Sequence, residues 1–317
     1  MKRVVVTGMS AITALGDNWR DFESALKAEQ NAVKVMEQWN DVEDMKTRLA
    51  APVSFQKPAH FSRKKTRSMG PVSLMATAAT EGALEAAGLI DAPCITDGST
   101  GIAYGSSTGS TDPIIPFGNL LQKHSMSGVT ATSYIQMMAH TTPVNLGVYF
   151  QVKGRIITTS SACTSGSQGI GYAYEAIKYG KQKVMIAGGA EELCVSEAAV
   201  FDTLFATSTK NDTPSMTPRP YDKNRDGLVI GEGACTLVLE ELEHAKARGA
   251  TIYAELIGFG TNADGQHVTQ PSAPTMAQAM HLALEDADIS GQQVGYVNGH
   301  GTATEAGDIA ESIATRE

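Results

Sequence analysis

The chain has 317 residues, of which 42% are hydrophobic and 19% are charged. This composition is typical of a globular protein and excludes a disordered chain, and the length predicts one large or two fused domains. No apolar run reaches about 18 residues, so no transmembrane helix is expected. With 34 acidic against 25 basic residues the net charge is −9, which disfavours broad attraction to nucleic acid or to an anionic membrane.

The cysteine pattern and the N-terminus favour a cytoplasmic protein. Residues 1–8 contain basic side chains but only a short apolar run, so they are interpreted as a first strand rather than a signal peptide. The cysteines are widely spaced and contain no Cys-x-x-Cys pair, a pattern that argues against a disulfide framework and against a metal site. They are Cys94, Cys163, Cys194 and Cys235.

Short β-branched runs alternate with Ala-rich stretches along the chain, which predicts an α/β fold with buried strands. A long loop rich in Pro, Asp, Asn and Arg, 207–227, is predicted to be functional or packed at an interface. Strands are predicted over 3–8 (ending in a turn at Gly8), 101–105 and 155–159 (both buried), 183–188, 234–240, 251–260 and 294–297. Helices are predicted over 19–29, 71–88 with Gly88 as C-cap, 164–179, 242–248, 275–287 and 304–315.

The first candidate catalytic residue is a cysteine between a β-branched strand and a helix rich in small residues. Cys163 stands in a predicted tight turn within residues 158–170. At a helix N-terminus, the helix dipole and unpaired N–H groups favour the thiolate, which is the reactive form of cysteine. The same N–H groups can hold the oxygen of a thioester during attack. Spacing alone leaves open the alternative that Cys163 is a small buried residue without chemistry.

The second candidate is a histidine with a glycine on each side. Residues 295–305 predict a strand that delivers His300 to a turn before a helix, and the glycines allow close approach of a ligand to the backbone. Because a lone histidine is more often structural, a structural role stays open. A weaker candidate pair, His267 and Thr269, precedes this segment.

Two patterns imitate other kinds of site. Residues 222–227 match positions 1, 3, 5 and 6 of a calcium-binding EF-hand loop. Position 12 is Gly233, however, and 228–230 predict a strand instead of the exiting helix. Gly8 and Gly16 follow the first strand without the G-x-G-x-x-G spacing of a dinucleotide site. Neither calcium nor a dinucleotide is therefore predicted.

Taken together, the motifs resemble the β-ketoacyl-acyl-carrier-protein synthases, the condensing enzymes of fatty acid and polyketide synthesis. The elongating type II class is the most similar, and the resemblance runs along nearly the whole chain. Because 225–227 is one of the family's blocks, the resemblance replaces the EF-hand interpretation. The blocks lie at 6–9, 162–166, 187–191, 208–212, 219–222, 225–227, 231–233, 239–245 and 300–302.

The resemblance implies a thiolase-like α/β fold of five αβαβα layers built from two similar halves. The first half would be 1–250, which contains the nucleophile, and the second would begin at 251–317. Family members continue after the His300 motif through a second histidine, a lysine and a glycine-rich loop. We therefore expect a second half with unpaired strand edges and exposed apolar faces, and weak or absent condensation by a chain of these 317 residues.

The resemblance also implies roles for individual residues. Cys163 would be the acyl nucleophile and His300 one of two histidines at the decarboxylation site. Substrate or pantetheine contacts are implied for Thr302, Thr304 and Thr269, a gating aromatic at Phe201 and an acyl-pocket position at Thr108. A basic patch of Arg63, Lys64, Lys65 and Arg67 would dock the acidic carrier protein. On charge alone, a solvated helix face is the alternative interpretation of that patch.

The implied reaction has two half-reactions, acyl transfer to Cys163 and decarboxylative condensation with malonyl carrier protein. No cofactor is implied, because the substrates are carried on the 4′-phosphopantetheine of acyl carrier protein. The implied partners are that carrier and a second subunit, in a homodimer or in a heterodimer with a related synthase. Polar residues at 107, 108, 110 and 111 favour a specialised acyl substrate.

Two other functions stay open at this point. The first is a non-catalytic partner subunit similar to a chain-length factor, against which the presence of Cys163 counts. The second is an acyltransferase or decarboxylase that keeps only one half-reaction.

Overall fold

The computed structural model describes residues 1–267 and 269–317, and these form two compact units. Unit 1 comprises Met1–Glu29, Val53–Glu192 and Glu232–Leu256. Unit 2 comprises Gln30–Pro52, Leu193–Gly231 and Ile257–Glu317. Each unit is therefore assembled from three separate stretches of sequence.

The secondary structure confirms the mixed α/β class. The strands are β1 (Val4–Ile12), β2 (Lys34–Val35), β3 (Leu49–Ala51), β4 (Thr100–Gly105), β5 (Ile156–Thr159), β6 (Val184–Glu191), β7 (Ile230–Gly231), β8 (Gly233–Glu241) and β9 (Ala254–Leu256). The helices are α1 (Trp19–Lys27), α2 (Arg63–Thr66), α3 (Pro71–Ala87), α4 (Pro93–Thr96), α5 (Ile114–Lys123), α6 (Ser133–Met137), α7 (Thr141–Phe150), α8 (Ser165–Lys178), α9 (Val195–Thr203), α10 (Leu242–Ala247), α11 (Ala273–Ala287) and α12 (Glu305–Arg316). Single 3-10 turns occur at Glu37–Trp39, Pro214–Met216 and Gly291–Gln293. Among the described residues, no helix combines the length and the apolar character needed to cross a bilayer.

Unit 1 is built on a six-stranded mixed sheet with the strand order β5-β4-β6-β8-β1-β9. The pairs β4–β5 and β4–β6 are parallel, whereas β6–β8, β1–β8 and β1–β9 are antiparallel. All six residues of β4 are buried, as expected for a strand with a parallel neighbour on each side. The carboxyl ends of β4, β5 and β6 consequently share one edge of the sheet, and loops that leave this edge are placed close together.

Helix α3 packs on β1 and β8 and supplies much of the core of unit 1. It begins with Pro71 at its first position and ends at Gly88, whose φ of +67° places it in the left-handed region. The predicted helix and its glycine cap are confirmed. Alanines at 76, 79, 83 and 87 are buried to at least 95%, which lets the helix axis lie close to the sheet.

Two predictions about strands of unit 1 are wrong. β1 does not turn at Gly8 but continues to Ile12, with a shift in its pairing to β8 between Val6 and Gly8. The glycine is needed because a side chain there would come within 2.3 Å of the carbonyl oxygen of Ala83 on α3. The predicted strand over 155–159 forms as β5 but is not buried, since it is an edge strand and Ile156 is 40% exposed.

Two predictions further along the chain are also corrected. Of the predicted strand over 251–260, only Ala254–Leu256 pairs, because only these residues have a partner strand, β1. Residues 294–297 form no strand, since their backbone joins no ladder among the described residues. Alternating apolar side chains favour a strand, but a strand exists only where a neighbour accepts and donates the hydrogen bonds.

Unit 2 contains a small sheet with the order β2-β3-β7 and a core formed by Met36, Trp39, Met45, Ala50 and Ala198. Helices α11 and α12 pack against each other. The long segment 207–227 is held by hydrogen bonds within itself and to other parts of unit 2. The Asp226 carboxylate accepts hydrogen bonds from the Ser208 hydroxyl (3.0 Å) and lies 3.2 Å from the Lys210 ammonium.

Candidate active site

Cys163 lies in the predicted strand–turn–helix, between the end of β5 at Thr159 and the start of α8 at Ser165. Ala162 has a φ of +50°, a left-handed conformation that is uncommon for a residue with a side chain. Cys163 is exposed, so the alternative of a small buried cysteine is wrong. The turn thus presents a thiol to solvent two residues before a helix of 14 residues.

Hydrogen bonds within the turn hold this conformation. The Ser165 hydroxyl accepts from the Ser161 N–H (2.9 Å) and donates to the Ala162 carbonyl (2.7 Å). The Ser161 hydroxyl donates to the side-chain carbonyl of Gln168 (2.7 Å). The N–H groups of Thr164 and Ser165 bond to carbonyls inside the turn, at 3.2 and 3.0 Å. These two N–H groups therefore already have acceptors inside the turn, and the predicted oxyanion contact from the start of the helix stays a prediction.

Glycines let α8 approach the sheet closely at the cysteine end. A side chain at Gly169 would come within 2.8 Å of the Ala103 carbonyl oxygen on β4. A side chain on Gly189 of β6 would lie 3.1 Å from the Cα of Gly166. This close packing fixes the start of α8, and with it Cys163, relative to the carboxyl ends of β4 and β6.

The segment that follows β4 is tied to the same edge of the sheet by Glu191, at the end of β6. The Glu191 carboxylate accepts from the Ser106 hydroxyl (2.8 Å) and from the N–H groups of Ser107 (2.5 Å) and Thr108 (3.3 Å). Burial raises the pKa of Glu191, and these hydrogen bonds oppose the rise. The Ser160 hydroxyl donates to the Ser107 carbonyl (3.4 Å), which links this segment to the cysteine turn.

Two of the polar residues that follow β4, Ser110 and Thr111, make structural hydrogen bonds. The buried Ser110 hydroxyl accepts from the Val72 N–H at the start of α3 (3.3 Å). The Thr111 hydroxyl and N–H both donate to the Glu192 carboxylate, at 2.7 and 2.6 Å. Ser110 and Thr111 therefore stabilise the fold, and their polarity no longer supports a specialised substrate.

In unit 2, His300 lies in a turn whose backbone is held by Glu311 of α12. The Glu311 carboxylate accepts from the N–H groups of His300 (2.5 Å) and Gly301 (2.8 Å). Thr304 is the N-cap of α12 and accepts from the Gly307 N–H (3.2 Å), while its hydroxyl lies 2.7 Å from that of Thr302. The predicted residues His300, Thr302 and Thr304 are thus brought into one hydrogen-bonded turn.

A second carboxylate of α12 anchors the same turn. Asp308 is buried, and its oxygens accept from the N–H groups of Ala303 (3.0 Å) and Tyr221 (2.6 Å). The Arg225 Nε lies 3.2 Å from Asp308 and donates to the Thr304 carbonyl (3.3 Å). The family block at 225–227 therefore supports the histidine turn.

Tyr221 occupies the space that the glycines around His300 leave. A side chain on Gly299 would come within 2.1 Å of the Tyr221 hydroxyl, and one on Gly301 within 3.4 Å of its ring. The phenol donates to Glu311 (2.6 Å). Burial and the neighbouring Glu311 carboxylate raise the pKa of Tyr221 to about 12. At least part of the glycine pattern thus serves this tyrosine rather than a ligand.

The remaining predicted residues are divided between the two units. Phe201 is half-buried on α9, and Thr269 lies in an exposed loop where its N–H donates to the His267 ring (3.1 Å). Cys163 and Thr108 belong to unit 1, whereas the His300 turn, Phe201 and Thr269 belong to unit 2. All four residues of the basic patch on and after α2 are exposed: Arg63, Lys64, Lys65 and Arg67.

Sequence reasoning gave no site role to four residues that shape these turns: Glu191, Tyr221, Asp308 and Glu311. The sequence does contain a signal for Asp308 and Glu311. Two acids three residues apart in the first turns of a helix face the same side, and here that helix directly follows a glycine-flanked histidine. Among the described residues, no group of three or more His, Cys, Asp or Glu is arranged to hold a metal ion.

Comparison with known proteins places these features in a family. The model of the β-ketoacyl synthase N-terminal domain matches residues 1–245, and that of the β-ketoacyl synthase C-terminal domain matches 253–317. The 3-oxoacyl-[acyl-carrier-protein] synthase 2 of Vibrio harveyi is 40% identical over 317 residues, which cover 98% of this chain and 75% of that protein.

Solved structures of β-ketoacyl synthases and ketosynthases also resemble this chain. A β-ketoacyl synthase from Burkholderia phymatum STM815 superposes with a TM-score of 0.98 at 61% identity, covering 99% of this chain and 78% of that one. A type II polyketide ketosynthase, solved in complex with its acyl-carrier protein and bound to a hexaketide, gives a TM-score of 0.84 at 28% identity, covering 99% of this chain and 76% of the other.

The fold and the cysteine turn thus define a condensing enzyme of the thiolase superfamily. More particularly, the chain belongs to the β-ketoacyl synthase family.

Proposed function

We propose that the protein catalyses the decarboxylative Claisen condensation of malonyl carrier protein with an acyl group held on Cys163. The observation that carries this proposal is the exposed Cys163 thiol, in a hydrogen-bonded turn directly before α8. The positive end of a helix favours a thiolate, and an exposed thiolate is accessible to a thioester delivered by a carrier.

In the first half-reaction, the Cys163 thiolate attacks the carbonyl carbon of an acyl thioester on the carrier. The tetrahedral intermediate collapses with cleavage of the bond to the pantetheine sulfur. The acyl group is then a thioester of Cys163, and the carrier leaves with its thiol. The oxyanion of this intermediate requires a hydrogen-bond donor. The N–H groups of Thr164 and Ser165 already donate to carbonyls inside the turn.

In the second half-reaction, malonyl carrier protein loses carbon dioxide and leaves an enolate. The enolate carbon attacks the Cys163 thioester, a carbon–carbon bond forms, and the Cys163 thiolate is released. We assign to His300 the donation of an imidazole N–H to the enolate oxygen, which lowers the energy of the developing charge. The Glu311 contacts to the His300 and Gly301 N–H groups fix the backbone from which that imidazole projects.

The residues that would contact substrate follow from this assignment. Thr302 and Thr304 would contact the phosphopantetheine arm, with Thr269 as a further contact. Thr108 would line the acyl pocket, where Glu191 fixes its backbone N–H. Phe201 would act as a gating aromatic. No resident cofactor enters the reaction, because the carrier supplies the thioesters.

The carrier itself would dock on the exposed basic patch of α2 and Arg67. The patch is a local positive surface on a chain of net charge −9, and an acidic carrier is attracted to it at short range. We further propose the five-layer architecture from two similar halves, of which 1–250 is the first and 251–317 begins the second, with a related subunit completing a homodimer or heterodimer. The site of action would be the cytoplasm.

The non-catalytic partner subunit is not favoured. The relatives that match over nearly the whole chain are 3-oxoacyl-[acyl-carrier-protein] synthases by name, and the cysteine is present and exposed. An acyltransferase or decarboxylase with one half-reaction would give acylated Cys163 without a β-ketoacyl product.

The test is to incubate the purified protein with acyl and malonyl carrier proteins and to measure the β-ketoacyl carrier product by mass spectrometry. Because the relatives that match over nearly the whole chain are synthases by name, the proposal predicts product with the unaltered protein, in place of the weak or absent condensation expected from the sequence alone. It predicts none with Cys163→Ala. Cys235→Ala is the matched control, because it removes another exposed thiol and is expected to leave turnover unchanged. Product formation by Cys163→Ala at the unaltered rate would contradict the proposal.

A further inference from the structure

The contact between Tyr221 and the histidine turn is unusually close for a side chain outside the catalytic groups. Its hydroxyl fills the position that a side chain on Gly299 would occupy, and its ring lies beside Gly301. The phenol donates to Oε2 of Glu311 (2.6 Å), the same oxygen that accepts the Gly301 N–H (2.8 Å). The other Glu311 oxygen accepts the His300 N–H (2.5 Å).

The backbone of Tyr221 is itself fixed in a conformation that a tyrosine rarely adopts. Its φ is +64°, which costs free energy for a residue with a side chain and persists only where neighbours impose it. The Tyr221 N–H donates to the buried Asp308 carboxylate (2.6 Å), which also contacts Arg225 (3.2 Å). These contacts aim the ring at the backbone on either side of His300.

We propose that Tyr221 is a positioning residue for His300 and acts through Glu311. The inference rests on the proposed function, in which His300 serves the condensation half-reaction. Tyr221 touches no reacting atom in this account; its phenol fixes the rotation of the Glu311 carboxylate, and Glu311 in turn holds the two N–H groups of the turn.

The phenol contact affects the position of the His300 backbone rather than its chemistry. The Tyr221 phenol ties Oε2 of Glu311 to a segment outside the histidine turn, whereas the His300 and Gly301 N–H groups belong to the turn itself. Loss of the phenol donor therefore loosens the 300–301 backbone without removing the histidine. A displaced donor stabilises the enolate less well, but the same displacement leaves attack by Cys163 on the acyl thioester unaffected.

The experiment compares the full chain with its Tyr221→Phe variant, which keeps the ring and removes only the hydroxyl. Three measurements are made: amide hydrogen exchange at 300 and 301, the kcat and KM of condensation, and the rate of acylation of Cys163. Tyr253→Phe is the control, because it removes the hydroxyl of a tyrosine that is 53% exposed in unit 1.

We expect Tyr221→Phe to exchange about tenfold faster at these two amides, because local opening is no longer opposed by the phenol. We expect kcat of condensation to fall about tenfold with KM unchanged, since the loss is in orientation rather than in binding. The acylation rate and the cooperative unfolding transition remain as in the unaltered protein. The control changes none of these quantities.

Unchanged exchange at 300 and 301 in Tyr221→Phe would overturn the positioning role, whatever the activity. Faster exchange with unchanged condensation would overturn its link to His300. Failure of the unaltered protein to acylate Cys163 would instead contradict the proposed function, and the exchange result would still report on Tyr221. If Tyr221→Phe unfolds, the Glu311→Gln variant tests the same set of contacts at the carboxylate. Amide hydrogen exchange at 300 and 301 is then expected to rise.

Discussion

The guanidinium of Arg225 lies 3.2 Å from the carboxylate of Asp308, whose side chain is only 2% exposed. The pair joins the segment 219–227 to the start of α12. Because Asp308 also accepts the N–H groups of Tyr221 and Ala303, one buried carboxylate holds two stretches of unit 2 that are far apart in sequence. Its charge is compensated by Arg225 and its oxygens are satisfied, as a buried carboxylate requires.

Replacing Asp308 by Asn is expected to destabilise the protein strongly. The amide keeps the shape but loses the charge opposite Arg225 and turns one acceptor into a donor facing an N–H. Breaking one side of a buried ion pair costs about 3 kcal/mol or more. The measurement is the free energy of unfolding in urea, with Asp212→Asn at an exposed position as control. A loss in Asp308→Asn no larger than in the control would refute this role of the pair.

Glu240 makes the stability of the protein depend on pH. Its carboxylate is fully buried on β8, which disfavours ionisation, but hydrogen bonds from Arg248, Thr7 and His244 outweigh burial and hold the pKa of Glu240 below its ordinary value. An unfolded glutamate binds a proton near pH 4.3. The stability from this group is therefore present above about pH 4.3 and is lost as pH falls toward the lower folded pKa.

We expect the free energy of unfolding to fall less steeply between about pH 5.5 and 3.5 in Glu240→Gln than in the unaltered protein. At neutral pH the variant is less stable, because Arg248 then has no carboxylate partner. Urea unfolding across this pH range measures both effects. Parallel pH profiles for the two proteins would show that Glu240 does not contribute in this way.

Charge reversal on α2 tests the docking surface. The double variant Arg63→Glu, Lys64→Glu is expected to weaken binding of acyl carrier protein by about tenfold at low salt, mostly through the association rate. The effect should shrink as salt screens the exposed charges. Lys153→Glu, Lys181→Glu is the matched control, since these exposed lysines precede β5 and β6 whereas Cys163 follows β5. Equal weakening by the two pairs would contradict docking at α2.

Glu191 is expected to hold the segment that carries Thr108. Glutamine at this position has one acceptor oxygen for three donors, those of Ser106, Ser107 and Thr108. Amide exchange at 107 and 108 should therefore rise about tenfold in Glu191→Gln, while Glu85→Gln on the exposed face of α3 leaves it unchanged. Protection that is the same in both variants would mean that the segment is held by other contacts.

The sequence predicts most of the framework of unit 1, because the determinants there are local. The small residues and terminal glycine of α3 and the β-branched run of β5 specify their conformations without knowledge of their neighbours. The turn at Cys163 was likewise predictable, since a strand, a polar turn and a glycine-rich helix follow one another directly. The family resemblance carried by the ordered motifs is confirmed by the matched domains.

The remaining features depend on partners distant in sequence. Gly8 was predicted to end a strand, but it is the point at which β1 passes Ala83. The glycine beside His300 was interpreted as ligand space, whereas Tyr221, about eighty residues earlier, fills it. A strand over 294–297 would require a neighbouring strand to pair with, and the spacing of apolar residues in the sequence does not reveal whether one is present. Such contacts are tertiary, and a residue pattern records only that a glycine or an apolar side chain is needed.

The central claim is that Cys163 accepts the acyl group, and intact-protein mass after incubation with an acyl-carrier-protein thioester tests it most directly. Acylation of Cys163 gives a mass increase equal to one acyl group, located on the peptide that contains Cys163 and absent in Cys163→Ala. An acyl group found on another residue, or an increase that persists in Cys163→Ala, would contradict it. So would a folded protein that gains no mass.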